Sequence, residues 1–484
     1  MERRFRPSHP SRSPADVRRP GDRTIRREAM PSEVIPLRVP HRRRVTIPLV
    51  VALWVGTTLL ALLGMLLLRW PATWQEGQSV SWWVAAFVAL SALCTAGFAP
   101  VDVATTWNRL GQLVLVVLVE VGGVSYVATA TLLLAGIMRR TIVYEAHHVL
   151  GMRLGEEQLG ELWPLVRRLL IATGAIQLAG FCALLVPSLR LHEDRAEALW
   201  WALTTAVMAF HNAGFDFEPG LGGFAAYQRV PLVILPVGLL VLLGAIGFPV
   251  LSDIVARRSW RRLYPDTRLV VVTMAVLLVA GTLGIWLLER ANPATIAGLP
   301  WYQQVVDAFA VTLSRTGGPR VVETRMLGEE TAFLFGALTF IGGASGSVAG
   351  GVKVQTFSLL LFAIAATVRG SRHVVVFGRE VPDWQVFRAL AIAVFALLVT
   401  FFGTVVLATW APHELPTVWL LVVEAFGLAG AESPLVASLG ANGQAVLAVL
   451  IVLGRFGPLL LALVFATQVQ RELVHYAQES VRLG

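Results

Sequence analysis

The sequence predicts an all-α integral membrane protein that repeats one structural unit four times. Of its 484 residues, 56% are hydrophobic and only 15% are charged, and the mean hydropathy is +0.67. A soluble protein of this length carries far more charge. The other two observations behind the prediction are a set of long apolar stretches and a glycine that recurs at the end of four short ones.

Apolar stretches of two lengths alternate along the chain. A membrane-spanning helix needs about 20 mostly apolar residues. Eight stretches reach that length and are predicted to span the membrane: residues 46–68, 110–137, 165–188, 230–255, 268–289, 331–368, 386–410 and 443–469. Four others are too short to cross and are predicted to be re-entrant or half-membrane helices: residues 82–96, 198–212, 301–316 and 416–429.

A glycine ends each of the short stretches. Gly97, Gly214, Gly318 and Gly430 are separated by 117, 104 and 112 residues. The chain is therefore interpreted as four copies of a span, a short helix with its loop, and a second span. The predicted units cover residues 45–138, 139–256, 257–369 and 370–484. Residues 1–44 are rich in Arg, Pro and Ser and are predicted to form a disordered tail.

The residues at each glycine form the predicted functional site. A dehydrated cation needs several close oxygens in place of its water, and backbone carbonyls supply them where no Cβ crowds the turn. The short helix before each glycine also points the negative end of its dipole into the membrane. We therefore predict a pseudo-fourfold cation pore lined by four glycine segments: Thr95, Ala96 and Gly97 (segment 1); Asn212, Ala213 and Gly214 (segment 2); Thr316, Gly317 and Gly318 (segment 3); Leu428, Ala429 and Gly430 (segment 4).

Acidic residues follow the glycines. Asp102, Asp216, Glu218, Glu323 and Glu432 come after the four segments, and as a set they are predicted to concentrate cations at an outer mouth. The outer-mouth residues proper are Asp102, Asp216 and Glu323. Each carboxylate taken alone is equally compatible with an ordinary solvated loop residue, so the prediction depends on the set.

The sixth predicted span contains a run that cannot form a continuous helix. Residues 341–353, which we call the broken-span loop, hold five glycines and two serines. Unwound backbone at membrane depth is tolerated only inside protein or along a water-filled cavity. The loop is predicted to lie beneath the glycine segments as a mobile gate, and a flexible kink without a gating role is the alternative. The predicted gate residues are Gly342, Gly343, Ala344, Ser345, Gly346, Ser347, Ala349, Gly350, Gly351, Lys353 and Arg455.

Four of the charged residues within predicted membrane segments are candidates for a function. Lys353 is the only lysine of the chain, which indicates a use for its compact point charge. Arg455 lies midway along the last span, where a charge is costly, and is interpreted as a positive barrier or as half of a buried salt bridge. Arg315 directly precedes segment 3 and is predicted to brace it. Glu120 needs a buried partner that the sequence does not identify.

The distribution of arginine predicts the orientation. Most arginines lie in the N-terminal tail and in the linkers between units, and few lie in the loops of the opposite face. Both termini are therefore predicted to be cytoplasmic in a multi-pass protein of the plasma or inner membrane. The basic residues flank spans without an aromatic-interleaved patch, so no nucleic-acid partner is predicted. Cys94 and Cys182 provide neither a disulfide framework nor a metal-binding pattern.

Several of these motifs resemble the Trk/Ktr/HKT superfamily of potassium and sodium transporters. The run 342–353 is similar to the family's intramembrane gating loop, and residues 315–318 and 212–215 to its third and second filters. Residues 454–458 are similar to the family's last span, whose arginine lies near the gate. The resemblance extends over roughly residues 46–470. A single span precedes segment 1, which favours the Ktr-type membrane, or translocating, subunit.

The resemblance implies potassium uptake through a channel-like pore, with K+ held at the glycine segments. It also implies a homodimer of membrane subunits on a cytosolic ring of regulatory subunits, where ATP or ADP binding moves the gating loop. The chain has no Gly-x-Gly-x-x-Gly motif of its own, so the nucleotide site is expected on the partner and no cofactor is expected on this chain.

The sequence also departs from the family pattern. Segment 3 and segment 4 carry substitutions beside their glycines, namely Gly317 and Pro319 in place of Ala and Phe, and Leu428 and Ala431 in place of Thr and Leu. Arg320 adds a positive charge near the predicted mouth. These changes leave selectivity and conductance open. Gly97 favours K+, because sodium-preferring members of the family carry serine there.

Three other functions are weighed against this one. A sodium-permeable or sodium-coupled transporter of the same fold is the main alternative, because selectivity depends on carbonyl geometry. A transporter of an organic solute predicts two related halves rather than four similar units. A membrane enzyme is disfavoured, since His147 and His148 lie in a linker and no intramembrane cluster of His, Asp or Glu suggests metal or acid–base chemistry.

Overall fold

The computed structural model describes residues 46–147, 162–218, 223–371, 373–430 and 433–467. The chain divides into two compact units, Met1–Val51 and Ala52–Gly484, and only the start of one helix is described in the first. The predicted tail, residues 1–44, lies outside the described residues. The features below belong to the second unit.

Helices dominate the described part of the chain. In chain order they are α1 (Thr46–Leu68), α2 (Trp82–Leu93), α3 (Val103–Thr106), α4 (Arg109–His147), α5 (Leu162–Leu191), α6 (Arg195–Phe210), α7 (Pro231–Ile246), α8 (Phe248–Arg257), α9 (Pro265–Glu289), α10 (Trp301–Ser314), α11 (Glu329–Phe340), α12 (Val354–Val368), α13 (Asp383–Ala408), α14 (Leu415–Gly427), α15 (Ser433–Ser438) and α16 (Gly440–Thr467). Short 3₁₀ turns lie at Pro71–Thr73, Gly223–Tyr227, Trp260–Arg262 and Thr324–Met326.

A β-hairpin that the sequence analysis did not predict follows α12. Strands β1 (Val374–Val376) and β2 (Arg379–Val381) pair antiparallel. The two residues between them, Phe377 and Gly378, both have positive φ, at 49° and 76°. Two consecutive residues with positive φ are typical of the tight turns whose twist matches a hairpin.

Most of the predicted spans are continuous helices. Among the described residues, five stretches are long and apolar enough to cross a membrane: Arg109–Thr131, Val166–Leu191, Pro265–Glu289, Asp383–Ala408 and Gly440–Pro458. The first predicted span corresponds to α1, whose part at Val55–Leu68 is a shorter apolar helix. The chain is therefore a multi-pass membrane protein.

The fourth predicted span, residues 230–255, is not one continuous helix, and that prediction needs correction. Helices α7 and α8 meet at an angle of 95° at Gly247, whose φ is +85°. This backbone conformation ends a right-handed helix and is open mainly to glycine. A Cβ at Gly247 would lie 3.0 Å from the main-chain oxygen of Gly346. The bend therefore places the end of α7 against the broken-span loop.

The sixth predicted span is interrupted at the glycine-rich run, as predicted. Helix α11 ends at Phe340, and α12 begins at Val354. The two ends of the loop are tied together, since the amide of Gly342 donates to the carbonyl of Val352 (2.8 Å) and the amide of Val352 donates to that of Phe340 (3.1 Å). The loop is thus closed at its neck by backbone hydrogen bonds.

The four predicted short helices are α2, α6, α10 and α14. Each packs against a long helix of its own predicted unit and against one of the preceding unit: α2 against α4 and α16, α6 against α5 and α4, α10 against α9 and α7, and α14 against α13 and α11. The contact of α2 with α16 joins the first unit to the last. Because protein surrounds the short helices, apolar residues such as Val88, Ala206 and Val422 are fully buried.

One glycine contact recurs in three units. A Cβ built on Gly122 would lie 2.1 Å from the carbonyl oxygen of Leu93, one on Gly244 would lie 1.9 Å from that of Phe210, and one on Gly454 would lie 2.0 Å from that of Phe426. Each of these carbonyls belongs to the residue four positions before a segment glycine. Each glycine therefore lets a long helix touch the main chain at the end of a short helix. The same contact thus occurs in three of the predicted units.

Gly454→Ala is expected to lower the thermal stability of the protein, because its methyl group meets a carbonyl that moves only if α14 moves. Overpacking of this kind typically costs about 1–3 kcal/mol. The measurement is the melting temperature of the full-length protein in detergent. Gly174→Ala is the matched control, since Gly174 also lies within a helix and no atom lies within 4 Å of its Cβ position. Equal melting temperatures for the two variants would contradict the packing argument.

Candidate functional site

The main-chain atoms of the four glycine segments lie close to one another. A Cβ built on Gly97 would lie 2.1 Å from the amide nitrogen of Gly214, and one on Gly214 would lie 3.2 Å from the Cα of Gly430. A Cβ on Gly317 would lie 2.0 Å from the carbonyl oxygen of Asn212. These approaches leave no room for a larger residue at Gly97 or Gly317. The fold thus brings together four segments that lie far apart in the sequence.

Segments 1, 2 and 4 share one backbone conformation. Their first residues, Thr95, Asn212 and Leu428, all have positive φ, at 55°, 54° and 59°. In each segment the next amide donates to the carbonyl five residues earlier: Ala96 to Ser91, Ala213 to Met208 and Ala429 to Glu424, at 2.8, 2.9 and 2.9 Å. A left-handed residue closes a helix end in this way and satisfies its last carbonyls. Unusual dihedrals were predicted at the glycines, and the positive φ of these three residues was not predicted.

Segment 3 is built differently. Positive φ occurs at both Gly317 and Gly318, at 104° and 99°. The side-chain amide of Asn212 reaches across from segment 2 and donates to the hydroxyl and the carbonyl of Thr316, at 2.9 and 3.3 Å. Asn212 thereby holds segment 3 in register with segment 2.

The predicted outer-mouth carboxylates have local structural partners. Asp102 accepts a hydrogen bond from the amide of Ala104 (3.0 Å) at the start of α3. Glu323 pairs with the nearby Arg325 at 2.5 Å. Asp102 therefore caps α3, and Glu323 forms an ion pair within its own loop. Glu432 lies outside the described residues.

Asp216 is a partly buried carboxylate among the predicted outer-mouth residues. It accepts hydrogen bonds from the amides of Glu218 (2.9 Å) and Phe224. Burial nevertheless raises the pKa of Asp216 to about 6, and the charges of Glu218 and Asp102 add to the rise. Asp216 and Asp102 are therefore close enough to interact electrostatically, although they follow different segments.

Arg320 and Glu424 form an ion pair beside segment 4. The guanidinium of Arg320 lies 2.9 Å from the carboxylate of Glu424, and it donates to the carbonyls of Ala429 and Gly430 at 3.0 and 2.7 Å. Arg320 was predicted near the mouth, but its partner Glu424 was not predicted. The available signal was an isolated acid within the apolar stretch 416–429, which requires a partner at that depth.

The broken-span loop is held between the ends of α7 and α14. On one side the amides of Ala344 and Val348 donate to the carbonyls of Ala245 (2.9 Å) and Gly244 (3.4 Å). On the other side the amide of Gly351 donates to the carbonyl of Phe426 at 3.2 Å. The loop therefore contacts the end of α14, which leads into segment 4, directly. It reaches the end of α6, which leads into segment 2, only through Gly244 of α7, which packs against the carbonyl of Phe210. All of the predicted loop residues from Gly342 to Gly351 lie in this position.

Arg315 ties the end of α10 to the start of the broken-span loop. Its guanidinium donates to the carbonyls of Leu338 (3.3 Å), Ile341 and Gly342 (3.2 Å). It also contacts the sulfur of Met274 at 3.2 Å. The partners are thus backbone carbonyls, as expected, but they belong to the broken span rather than to the glycine segments.

Arg455 and Lys353 hold neighbouring carbonyls of the loop. The guanidinium of Arg455 donates to the carbonyl of Val348 and to the hydroxyl of Thr95 (3.0 Å), and it lies 4.0 Å from the centre of the Tyr126 ring. The ammonium of Lys353 donates to the carbonyl of Ala349 at 2.5 Å. The partners of Arg455 named here are uncharged, so they do not include the buried acid that the salt-bridge interpretation requires.

The partner of Glu120 is a histidine that the sequence analysis missed. Glu120 lies 2.8 Å from Nε2 of His211 and accepts a hydrogen bond from Gln177 at 2.7 Å. His211 is 1% exposed and immediately precedes Asn212 of segment 2. The pair connects the second span to the end of α6.

The long apolar helices define a multi-pass membrane protein, and its family is one of cation transport proteins. The family model described as "TrkH: Cation transport protein" matches residues 65–476, and the chain belongs to this family. The resemblance of the sequence to the Trk/Ktr superfamily, and to its Ktr-type membrane subunit, is confirmed.

Curated relatives cover almost the whole chain. The chain is 29% identical to the Ktr system potassium uptake protein B of Bacillus subtilis (strain 168) over 450 residues, which cover 91% of this chain and 97% of that protein. It is 30% identical to the Ktr system potassium uptake protein B of Vibrio alginolyticus, with 88% and 94% covered. It is 28% identical to the potassium/sodium uptake protein NtpJ of Enterococcus hirae, with 89% and 96% covered.

A solved structure has the same fold. The crystal structure of the potassium transporter TrkH from Vibrio parahaemolyticus aligns with a TM-score of 0.67 over 88% of this chain and 86% of that chain. The sequence identity is 18%, so the likeness is one of fold.

Proposed function

We propose that this protein takes up K+ through a pore formed where the four glycine segments meet. The observation that carries the proposal is the close contact of the four segments through main-chain atoms, which would allow backbone carbonyls from all four to surround one ion. Carbonyl oxygens in this arrangement replace the hydration shell of a cation. The relatives in B. subtilis and V. alginolyticus are potassium uptake proteins, which favours K+ as the ion.

A pseudo-fourfold ring of span, short helix and span is the architecture that we propose around this pore. Each short helix packs against its own unit and the preceding one, and α2 against α16 closes the series. A closed series of four similar units has one central axis. In this proposal the carbonyl ends of the four short helices face that axis, so that their dipoles add to the attraction for a cation.

The broken-span loop is the gate in this proposal. It lies between the ends of α7 and α14 and contacts the main chain that leads into the segments. Lys353 and Arg455 hold its carbonyls at Ala349 and Val348. Two buried positive charges below a cation site oppose passage until the loop moves.

We further propose that both termini are cytoplasmic, that the membrane subunit forms a homodimer, and that a cytosolic ATP- or ADP-binding ring controls the loop. The arginine-rich linkers support the orientation, and the designation of two relatives as parts of Ktr systems supports a multi-component assembly. The membrane potential then drives uptake, at about 2.3 kcal/mol per charge for each 100 mV.

Sodium permeation is the second candidate, because the E. hirae relative is a potassium/sodium uptake protein. The two are separated by growth of a bacterial host without its own K+ uptake on limiting potassium, with and without a coexpressed Ktr regulatory subunit. We expect rescue that excess Rb+ suppresses and excess Na+ does not, and that depends on the regulatory subunit. Uptake of Na+ without rescue would favour the sodium-permeable alternative.

Gly97→Ser is expected to abolish the preference for K+ over Na+ or to reduce it strongly, because a side chain here collides with the main chain of segment 2. The measurement is the uptake of ⁸⁶Rb+ in competition with K+ and with Na+. Gly77→Ser is the matched control: Gly77 also has positive φ, at 81°, but no atom lies within 4 Å of its Cβ position. An unchanged preference in Gly97→Ser would exclude segment 1 from the pore.

Arg455→Gln is expected to raise the resting ⁸⁶Rb+ flux, because glutamine keeps hydrogen-bond donors but removes the charge below the segments. Arg455→Lys, which keeps the charge, is expected to retain a low flux. Equal flux increases in both variants would show that the arginine fork holds the loop and that its charge is not the barrier. A fall in melting temperature without a change in flux would contradict both roles.

Uptake is expected to weaken as the outer pH falls through about 6. Because the pKa of Asp216 is raised to about 6, its carboxylate is charged and attracts cations at pH 7.5 but is mostly neutral at pH 5. The half-saturating K+ concentration should therefore be higher at pH 5. Asp216→Asn should remove most of this difference and resemble the wild type at pH 5. A variant that keeps the full pH dependence would assign it to another group.

A further inference from the structure

Arg320 occupies carbonyls that belong to one of the four glycine segments. One terminal nitrogen of its guanidinium donates to Gly430 O (2.7 Å) and Ala429 O (3.0 Å). The other terminal nitrogen donates to the hydroxyl of Thr324 at 2.8 Å. The guanidinium also lies 5.5 Å from the centre of the Phe335 ring, and the side chain is only 13% exposed. The positive charge is therefore held in one place by contacts on several sides.

Glu424 supplies the opposite charge. Its carboxylate lies 2.9 Å from the same nitrogen of Arg320, and its side chain is 2% exposed. A buried carboxylate is costly without a cation beside it, and breaking such a pair leaves an uncompensated charge. The pair as a whole is neutral, so the arginine can remain at the segment without an excess positive charge there.

We propose that Arg320 is a specificity-determining residue that acts as a tethered cation in segment 4. Its guanidinium takes up carbonyl lone pairs that a transported ion would otherwise use, and its charge repels an ion approaching the other three segments. Glu424 sets how strongly this repulsion is felt, because it neutralises the guanidinium. The inference rests on the proposed K+ pore, and it assigns this protein a weaker cation site than four free segments would form.

Two consequences distinguish this role from a structural one. Removal of Arg320 frees the carbonyls of Ala429 and Gly430 and leaves the negative charge of Glu424 in place, so cation binding strengthens. Removal of the charge of Glu424 leaves the guanidinium unneutralised, so cation binding weakens. A purely structural pair predicts that both changes damage the protein in the same way.

The test measures ⁸⁶Rb+ uptake by full-length protein, reconstituted in liposomes together with a Ktr regulatory subunit, over a range of K+ concentrations. Arg320→Ala is expected to lower the half-saturating K+ concentration about tenfold, and Glu424→Gln to raise it by a similar factor. Arg320→Lys, which keeps the charge, should stay near the wild type. The double variant of Arg320→Ala and Glu424→Gln should not show the raised half-saturating K+ concentration of Glu424→Gln alone, because the unneutralised guanidinium is then absent.

Arg379→Ala is the control, because Arg379 is an exposed arginine of strand β2 and belongs to none of the glycine segments. The control is expected to leave the half-saturating concentration unchanged. Melting temperatures of all variants check folding, and Arg320→Gln replaces the alanine variant, with the same expected direction, if that variant does not fold.

The outcomes separate this inference from the proposed function. Wild-type protein that takes up no ⁸⁶Rb+ would overturn the K+ pore and this inference with it. Wild-type uptake, with Arg320→Ala and Glu424→Gln both reducing the maximal rate and neither lowering the half-saturating concentration, would overturn the tethered cation alone.

Discussion

Main-chain carbonyls that leave a helix inside the membrane need partners, and this constraint governs the centre of the structure. A carbonyl without a donor in hydrocarbon costs several kcal/mol. The chain meets the need with cationic side chains that donate to unwound backbone: Arg315 to Leu338 and Gly342, Arg320 to Ala429 and Gly430, Lys353 to Ala349, and Arg455 to Val348. The same charges that are costly in a span thus stabilise the irregular segments there.

The second requirement is close packing of main chain against main chain. Gly122, Gly244 and Gly454 let long helices touch the last carbonyls of three short helices. Those short helices end in the left-handed residues Thr95, Asn212 and Leu428, so packing and backbone geometry act on the same few positions. Arg455 then joins the two irregular regions, because it donates both to Thr95 of segment 1 and to Val348 of the loop. A displacement of the loop therefore changes a hydrogen bond to a glycine segment.

The prediction from sequence succeeded where a single local property decides the outcome. Length and hydropathy locate the spans and the short helices, and the five glycines of residues 341–353 end a helix wherever that run lies. It failed where the decisive contact comes from another part of the chain. Glu424 pairs with Arg320 and Glu120 with His211, and no spacing in the sequence relates these partners. The bend at Gly247 was not predicted, because the surrounding residues are uniformly apolar and a uniform stretch does not show where a helix turns.

The sequence by itself determined that this protein crosses the membrane several times and that four glycine segments and one broken span interrupt its helices. These properties follow from composition and from the limits that glycine and charge impose on a helix in lipid. Only the tertiary structure decided which segments touch, and that Arg320 reaches segment 4 while Arg315 and Arg455 reach the broken span. The reason is physical: a long arginine side chain has many carbonyls within its reach, and the packing of helices remote in sequence selects among them.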